Sequence, residues 1–86
     1  MTAAGNAYQK HTNRPGNASN PNLPKVPYSQ MNMAGENFVW TILNHPNAIF
    51  NRKEVQNVGI FFDIEVPNIG GLRYTLDGKL RGFLNP

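Results

Sequence analysis

The chain has no cysteine, only two histidines and no long hydrophobic run, and each shortage excludes a class of protein or site. Without cysteine, neither disulfides nor a cysteine-ligated zinc site can stabilise a domain of 86 residues. His11 and His45 are too far apart in sequence to form a ready-made metal motif, so we expect no metal and no cofactor. The longest apolar run, residues 38–43, is far shorter than a membrane-spanning segment.

Acidic side chains are missing from the first thirty residues, which carry Lys10, Arg14 and Lys25. Residues 31–86 contain five basic and five acidic side chains, so the whole net charge of +3 lies in the N-terminal third. Non-specific affinity for nucleic acid follows the number of phosphates that a protein neutralises. Residues 31–86 are neutral overall and do not form a polycation. Nucleic acid could therefore bind this part of the chain only through a local basic patch.

The N-terminal third is also rich in Asn, Gly, Ser and Pro, and its prolines interrupt any long helix or central strand: Pro15, Pro21, Pro24 and Pro27. Such a composition buries too little apolar surface to offset the entropy lost on ordering. We therefore predict a disordered or extended leader over residues 1–30, with Val26 and Tyr28 docking onto a folded domain of residues 31–86. A leader of this kind is typical of a linker before the C-terminal module of a longer protein.

Residues 31–43 favour a helix, although residues 38–43 are also strand formers. Apolar side chains recur four residues apart, at Phe38 with Ile42 and at Val39 with Leu43. Asn44 and Pro46 follow as stop signals. Trp40 is expected at the edge of the apolar stripe, partly buried.

Two strands are predicted next, a weak one over residues 48–55 and a strong one over residues 57–66. In the strong strand, alternate residues are apolar without interruption, which assigns five of them to the core: Val58, Ile60, Phe62, Ile64 and Val66. Residues 71–86 then form a β-hairpin. The predicted fold is α+β, a meander of three or four antiparallel strands with one helix packed across it.

The hairpin has two possible registers, because Asp77-Gly78 fits either a two-residue or a three-residue loop. A two-residue loop would place Lys79 and Arg81 on the same side as three large apolar residues. A three-residue loop, with Gly78 at positive φ, gathers the apolar side chains on one face: Leu72, Tyr74, Leu80 and Leu84. Burial selects this second register, because a slip of one residue exchanges the two faces. It pairs Thr75 with Lys79, Tyr74 with Leu80 and Arg73 with Arg81.

The polar face of this hairpin carries Arg73, Thr75, Lys79 and Arg81 together. A solvated strand face is one interpretation, since half-exposed antiparallel sheets commonly look like this. However, like charges directly across two strands are destabilising unless an anion lies between them. Arg73 and Arg81 as cross-strand neighbours therefore indicate a phosphate site.

Metal-independent RNA cleavage needs groups that exchange protons and cations that stabilise the charge growing on phosphate. Four residues are the candidate catalytic side chains: His45, Lys53, Arg73 and Thr75. Three more are candidates for substrate binding: Arg52, Lys79 and Arg81. Several of these residues have a structural alternative. Arg73 and Arg81 could form surface ion pairs with Asp63 and Glu65, Arg52-Lys53 could be a solvated strand pair, and His45 could interact with a helix C-terminus. The sequence contains no GxSxG, P-loop, GxGxxG, HExxH or CxxC pattern, so other hydrolase and nucleotide-binding classes have no support.

The C-terminal segment resembles a known family through a series of short motifs. A strand carries Asp63-Ile64, a Pro/Asn/Gly loop follows, and Gly71, Arg73 and Tyr74 form a Gly-x-Arg-aromatic motif. A turn glycine, Gly78, then precedes a Gly-Phe-Leu-x-Pro motif at residues 82–86. This pattern is similar to the C-terminal toxin domains of contact-dependent growth inhibition proteins, a group of bacterial polymorphic toxins. The family pattern usually has an acid before the final proline, where this chain has Asn85.

The resemblance implies an endoribonuclease that cleaves tRNA or another RNA without metal, with a fold related to the barnase, EndoU, colicin and RelE group. It further implies secretion as the C-terminal part of a larger protein, action in the target-cell cytoplasm and a cognate immunity protein. Whether a host translation factor is a further partner is left open by the sequence. Arg73 is the site residue that the shared motif carries over. Two alternatives remain at this point: a non-enzymatic module that pairs through its hairpin edge, and an immunity protein, for which the acidic excess is lacking.

Overall fold

The structure of the protein is a computed structural model that describes residues 1–13 and 19–86. Two α-helices are present in the described part of the chain, α1 (Ala3–Asn13) and α2 (Met31–Leu43), with a 3₁₀ turn at Tyr28–Gln30. Four strands follow: β1 (Ile49–Val55), β2 (Gly59–Val66), β3 (Gly70–Thr75) and β4 (Leu80–Leu84). Arg14 and Pro15 of the predicted leader lie outside the described residues. Neither helix in this part of the chain is long and apolar enough to cross a membrane.

The strands form one antiparallel sheet in the order β1-β2-β3-β4, a meander. The predicted α+β class is thereby confirmed, as are both predicted strands and the helix at residues 31–43. Trp40, expected to be partly buried on α2, is 68% exposed. It projects away from the stripe that covers the sheet.

The N-terminal segment differs from the predicted leader, because residues 3–13 form α1 and belong to the core. Ala4, Ala7 and Tyr8 are buried, and the helix packs against α2 and β4. Close packing is possible because α2 presents a glycine: a Cβ at Gly35 would lie 2.2 Å from the Ala4 carbonyl oxygen. The sheet is therefore covered by two helices, whereas one was predicted.

Residues 19–27, before the 3₁₀ turn, contain neither helix nor strand and are held by side-chain amides. Asn20 donates from Nδ2 to the Ile69 carbonyl at 3.1 Å, and Asn22 donates to the Asn68 carbonyl at 2.9 Å. Val26 packs against the core as expected, whereas Tyr28 is exposed.

The core lies between the helices and one face of the sheet, with Ile42 and Leu72 fully buried at its centre. Phe38 of α2 contacts Phe83 of β4 with ring centroids 4.7 Å apart. The predicted core set of β2 is only partly correct. Val58 and Phe62 are exposed, because the helices cover one end of the sheet face and leave the other end open.

The terminal hairpin has the predicted loop but an additional bulge. Gly78 has a φ of 86°, the Thr75 amide donates to the Lys79 carbonyl at 2.9 Å, and Tyr74 pairs with Leu80, all as predicted. Beyond that pair the register shifts by one residue at Arg81.

The bulge overturns the predicted pairing of Arg73 with Arg81, because Arg73 lies opposite Gly82. An extra residue in one strand reverses the alternation beyond it, so Phe83 lies opposite Leu72 and occupies the buried face on which Leu84 was predicted. Burial of the large aromatic ring in the core accounts for the shift.

Candidate functional site: two surfaces beside the bulged hairpin

The open face of the sheet, opposite the helices, holds two rows of polar side chains. Because alternate residues of a strand face opposite sides, the neighbours of the buried Ile64 and Leu72 face away from the helices. The first row runs across all four strands: Asn51, Asp63, Arg73 and Gly82. The second row is Lys53, Phe61 and Thr75. Three of the four predicted catalytic residues thus share one face.

Arg73 is held in place at the centre of this face. It donates from Nε to Oδ1 of Asp63 and from Nη2 to Oδ2, both at 2.8 Å, and its guanidinium lies 5.1 Å from the centre of the Phe61 ring. The hydrogen bonds to Asp63 raise the pKa of Arg73. A quarter of the Arg73 side chain remains exposed, against 3% of Asp63. The ion-pair alternative considered for Arg73 therefore holds, and its remaining N–H groups can still meet a ligand.

A cleft of about 340 Å³ opens beside the pair, lined by Asn51, Arg52, Lys53, Asp63 and Glu65. Arg52 also borders a larger apolar cleft, of about 480 Å³, on the helix side of the sheet. Phe50 and Phe62 line this apolar cleft and are exposed there. The predicted pair Arg52-Lys53 is thus divided between the two faces of β1.

The hairpin tip engages two more of the predicted residues in local contacts. Thr75 donates its hydroxyl to the Asp77 carboxylate and accepts the Lys79 amide at 3.2 Å. The Lys79 ammonium lies 3.8 Å from the same carboxylate and is almost fully exposed. These contacts stabilise the turn, and they leave Lys79 accessible.

His45 lies apart from these residues, in the connection between α2 and β1. Its Nδ1 accepts the Asn47 amide at 3.0 Å, and its own amide donates to the Ile42 carbonyl at 3.3 Å. The structure therefore does not bring His45 to the sheet rows that contain Lys53 and Arg73.

A second polar cleft, which the sequence did not predict, lies between α1 and β4. It measures about 220 Å³ and is lined by Ala3, Asn6, Ala7, Lys10, His11, Leu80, Arg81 and Gly82. His11 contacts Asn85 through Nδ1 and Oδ1 at 2.7 Å, and its ring lies 6.2 Å from that of Phe83. Arg81 contributes to this cleft from the bulge of β4.

The sequence contained one signal for this cleft, the excess of basic residues before residue 30. The assignment of that segment to a leader separated Lys10 and His11 from the folded domain. No three of the His, Asp and Glu side chains in residues 1–13 and 19–86 come together as a metal site would require.

Comparison with known proteins identifies the family. The profile of the CdiA C-terminal tRNase toxin domain matches residues 1–85. The chain belongs to this family. No curated protein sequence matches it. The match of the CdiA toxin family extends through α1, so the part predicted as a leader is included in the family's own domain.

A solved structure supports the same fold. The toxic C-terminal tip of CdiA from Pseudomonas aeruginosa, determined in complex with immune protein, superposes with a TM-score of 0.78 at 23% identity. The alignment covers 99% of this chain and 89% of that one. The α+β architecture is therefore shared with a CdiA toxin.

Proposed function

We propose that this CdiA toxin domain is a metal-independent endoribonuclease that cleaves tRNA and is neutralised by a cognate immunity protein. The family description names tRNase activity, and the related Pseudomonas aeruginosa toxin was solved with its immune protein. The observation that carries the proposal is the guanidinium of Arg73, fixed by Asp63 beside an open cleft on the sheet.

The reaction proposed is attack by a ribose 2′-oxygen on the adjacent phosphorus. The new O–P bond forms as the bond to the 5′-oxygen breaks, so one proton leaves the 2′-hydroxyl and another is delivered to the 5′-oxygen. The products are a 2′,3′-cyclic phosphate and a 5′-hydroxyl. The nucleophile belongs to the RNA itself, so neither a metal-bound nor a free water is needed for this step.

Arg73 and Arg81 are proposed to bind the phosphate. Arg73 lies opposite Gly82, and Arg81 is the next residue along β4, so the two cations flank the bulge without forming the cross-strand pair first expected. A guanidinium fixed before the substrate arrives stabilises the developing negative charge without reorganising during the step.

Lys53 and Thr75 share the open face with Arg73 and are proposed to contact the bound RNA there. Arg52 and Lys79 border this face and are proposed to bind flanking phosphates. A role for His45 stays a prediction of the sequence.

The biological setting follows from the family. The domain is proposed to reach a target cell as the C-terminal part of a larger secreted CdiA protein and to act in that cell's cytoplasm. The immunity protein would protect the producing cell. A requirement for a host translation factor stays a prediction.

The test is cleavage of purified tRNA in the presence of EDTA. We expect fragments that end in a 2′,3′-cyclic phosphate, and we expect Lys53→Ala and Arg81→Ala to cut more slowly. Lys25→Ala removes an exposed cation outside these surfaces and is the matched control, expected to cut at the parent rate. Intact tRNA at high protein concentration would contradict the proposal. Loss of activity in EDTA would contradict its metal independence.

A further inference from the structure

We infer that the cleft between α1 and β4 binds the sugar-phosphate backbone of the RNA and that His11 takes the proton from the 2′-hydroxyl there. This inference rests on the proposed function and adds a proton acceptor to the groups proposed there. Lys10 and Arg81 would bind the phosphate, and Asn85 would position the imidazole.

The hydrogen bond between His11 and Asn85 determines which ring nitrogen is available. Nδ1 lies 2.7 Å from the Asn85 carbonyl oxygen, which accepts hydrogen bonds, so Nδ1 carries the proton of the neutral ring. Nε2 then holds a free lone pair. No described residue hydrogen-bonds to Nε2. In sites that activate a nucleophile, one ring nitrogen of a histidine accepts the proton while a neighbouring group holds the other nitrogen by a hydrogen bond.

The charge of the cleft suits a phosphate. Lys10 and Arg81 line it, and no described lining residue is acidic. The carboxylates of Asp63 and Asp77 are paired elsewhere, with Arg73 and Lys79. Since neither cation of the cleft has a carboxylate partner among the described residues, an anion can bind both without first displacing one.

The size and shape of the cleft limit what enters it. At about 220 Å³ it is smaller than a typical small-molecule pocket, which suits one sugar-phosphate unit and leaves the remaining RNA on the surface. The His11 ring lies beside Phe83, whose position in the core is set by the β4 bulge. The bulge thus places Arg81 and the His11 ring at the same opening.

A structural role alone does not account for this arrangement. Lys10 and His11 occupy the last turn of α1, where cations interact favourably with the helix dipole. That interaction requires neither the contact with Asn85 nor a second cation on β4. The convergence of α1 and β4 on one cleft, with Asn85 holding the imidazole of His11, indicates a ligand.

In the proposed step, Nε2 of His11 accepts the 2′-hydroxyl proton as the 2′-oxygen attacks phosphorus. Arg81 stabilises charge on the non-bridging oxygens, and Lys10, which lines the same cleft, supplies the proton that the departing 5′-oxygen takes. One proton is accepted and one is delivered, so the protein regains its starting state by a single proton exchange with water.

The test compares single-turnover tRNA cleavage by the parent and by His11→Ala, together with binding of an RNA carrying a 2′-deoxy nucleotide at the cut site. We expect His11→Ala to cut roughly 100-fold more slowly or worse while binding the uncleavable RNA as the parent does. Added imidazole should restore part of the lost rate. A purely structural histidine would show no such rescue.

Two further variants test the positioning role of Asn85. Asn85→Ala should lower the rate and alter the pH-rate profile, and Asn85→Asp, which keeps an oxygen acceptor at the same place, should retain more of the rate. Arg81→Ala and Lys10→Ala should weaken binding and reduce its salt dependence. Unchanged salt dependence in both would contradict the phosphate site.

The outcomes separate this inference from the proposed function. If the parent leaves tRNA intact, the function itself fails. If the parent cleaves and His11→Ala cleaves equally well, the function stands and the role of His11 is overturned. The variant His45→Ala is tested alongside. If only His45→Ala loses cleavage activity, the role of His11 is likewise overturned, in favour of His45.

Discussion

Arg73 and Asp63 form a two-point ion pair across β2 and β3, with both nitrogen-oxygen distances at 2.8 Å. The carboxylate is almost completely buried beneath the guanidinium, although it lies on the face of the sheet that the helices leave open. Arg73 therefore has two roles: it compensates a buried charge, and its part-exposed guanidinium keeps N–H groups available to a ligand.

The first prediction concerns stability. Arg73→Ala leaves the Asp63 carboxylate buried without a partner, and we expect a loss of about 3 kcal/mol in the free energy of unfolding, at the low end for a broken buried pair because Arg73 is part-exposed. The double variant with Asp63→Ala should lose less than the sum of the two single changes. Urea denaturation measures both. Lys79→Ala, which breaks an exposed pair, should change stability by less than about 1 kcal/mol.

This outcome affects how activity is interpreted. A loss of cleavage in Arg73→Ala reports on catalysis only after correction for the unfolded fraction. If Arg73→Ala were as stable as Lys79→Ala, the structural role of the pair would be disproved.

The second prediction concerns the crossing of the two helices. Gly35→Ala places a methyl group 2.2 Å from the Ala4 carbonyl oxygen, so α1 must move away from α2. We expect the free energy of unfolding to fall by about 3 kcal/mol or more, because a backbone carbonyl cannot move aside as a flexible side chain can. Gly82→Ala is the control, since its methyl group meets nothing within 4 Å, and its unfolding midpoint should stay near that of the parent.

The third prediction distinguishes a structural α1 from a flexible leader. Ala7→Asp introduces a carboxylate at a buried position of α1 and should lower the thermal midpoint sharply. Asn6→Asp introduces the same group at the exposed neighbouring position and should leave the midpoint nearly unchanged. Equal midpoints for the two variants would restore the interpretation of residues 1–13 as a leader.

The fourth prediction concerns alkaline pH. Burial raises the pKa of Tyr8 and of Tyr74 above the ordinary value of about 10. Because the folded state favours the neutral phenols, their stabilisation is complete below about pH 10 and disappears as the pH rises through the raised pKa values. Tyr8→Phe should reduce the fall in unfolding free energy above about pH 10, measured by urea denaturation at several pH values. Tyr28→Phe, at an exposed site, should leave the fall unchanged.

The parts of the fold that the sequence predicted are those encoded by local signals. The four-residue spacing of Phe38 and Ile42 predicted α2, and the alternation in residues 57–66 predicted β2. Gly78 predicted the hairpin loop, since a left-handed backbone conformation there favours glycine. Each signal depends on residues close together in the chain.

The parts that it missed depend on contacts between distant residues. The buried side of α1 contains small or polar residues such as Ala4, Ala7 and Thr12, so hydrophobicity does not mark it as core. Its packing depends on Gly35, thirty residues along the chain. The bulge at Arg81 is likewise selected by the cavity that Phe83 fills, and the hairpin sequence alone does not contain that information.

The same limits apply to the candidate site. Strand alternation was sufficient to predict that Arg73 and Thr75 share a face. That Lys53 lies on the same face depends on how β1 pairs with β2, which alternation within one strand does not determine. The cleft at His11 could not be predicted without knowing that α1 lies against β4.

The contact between residues 11 and 85 makes the cleft depend on nearly the full length of the domain. A variant truncated so that it lacks residue 11 or residue 85 loses this contact. Under the proposed function, RNA cleavage would therefore require that Asn85 has already folded against α1, so a partly folded domain would be inactive.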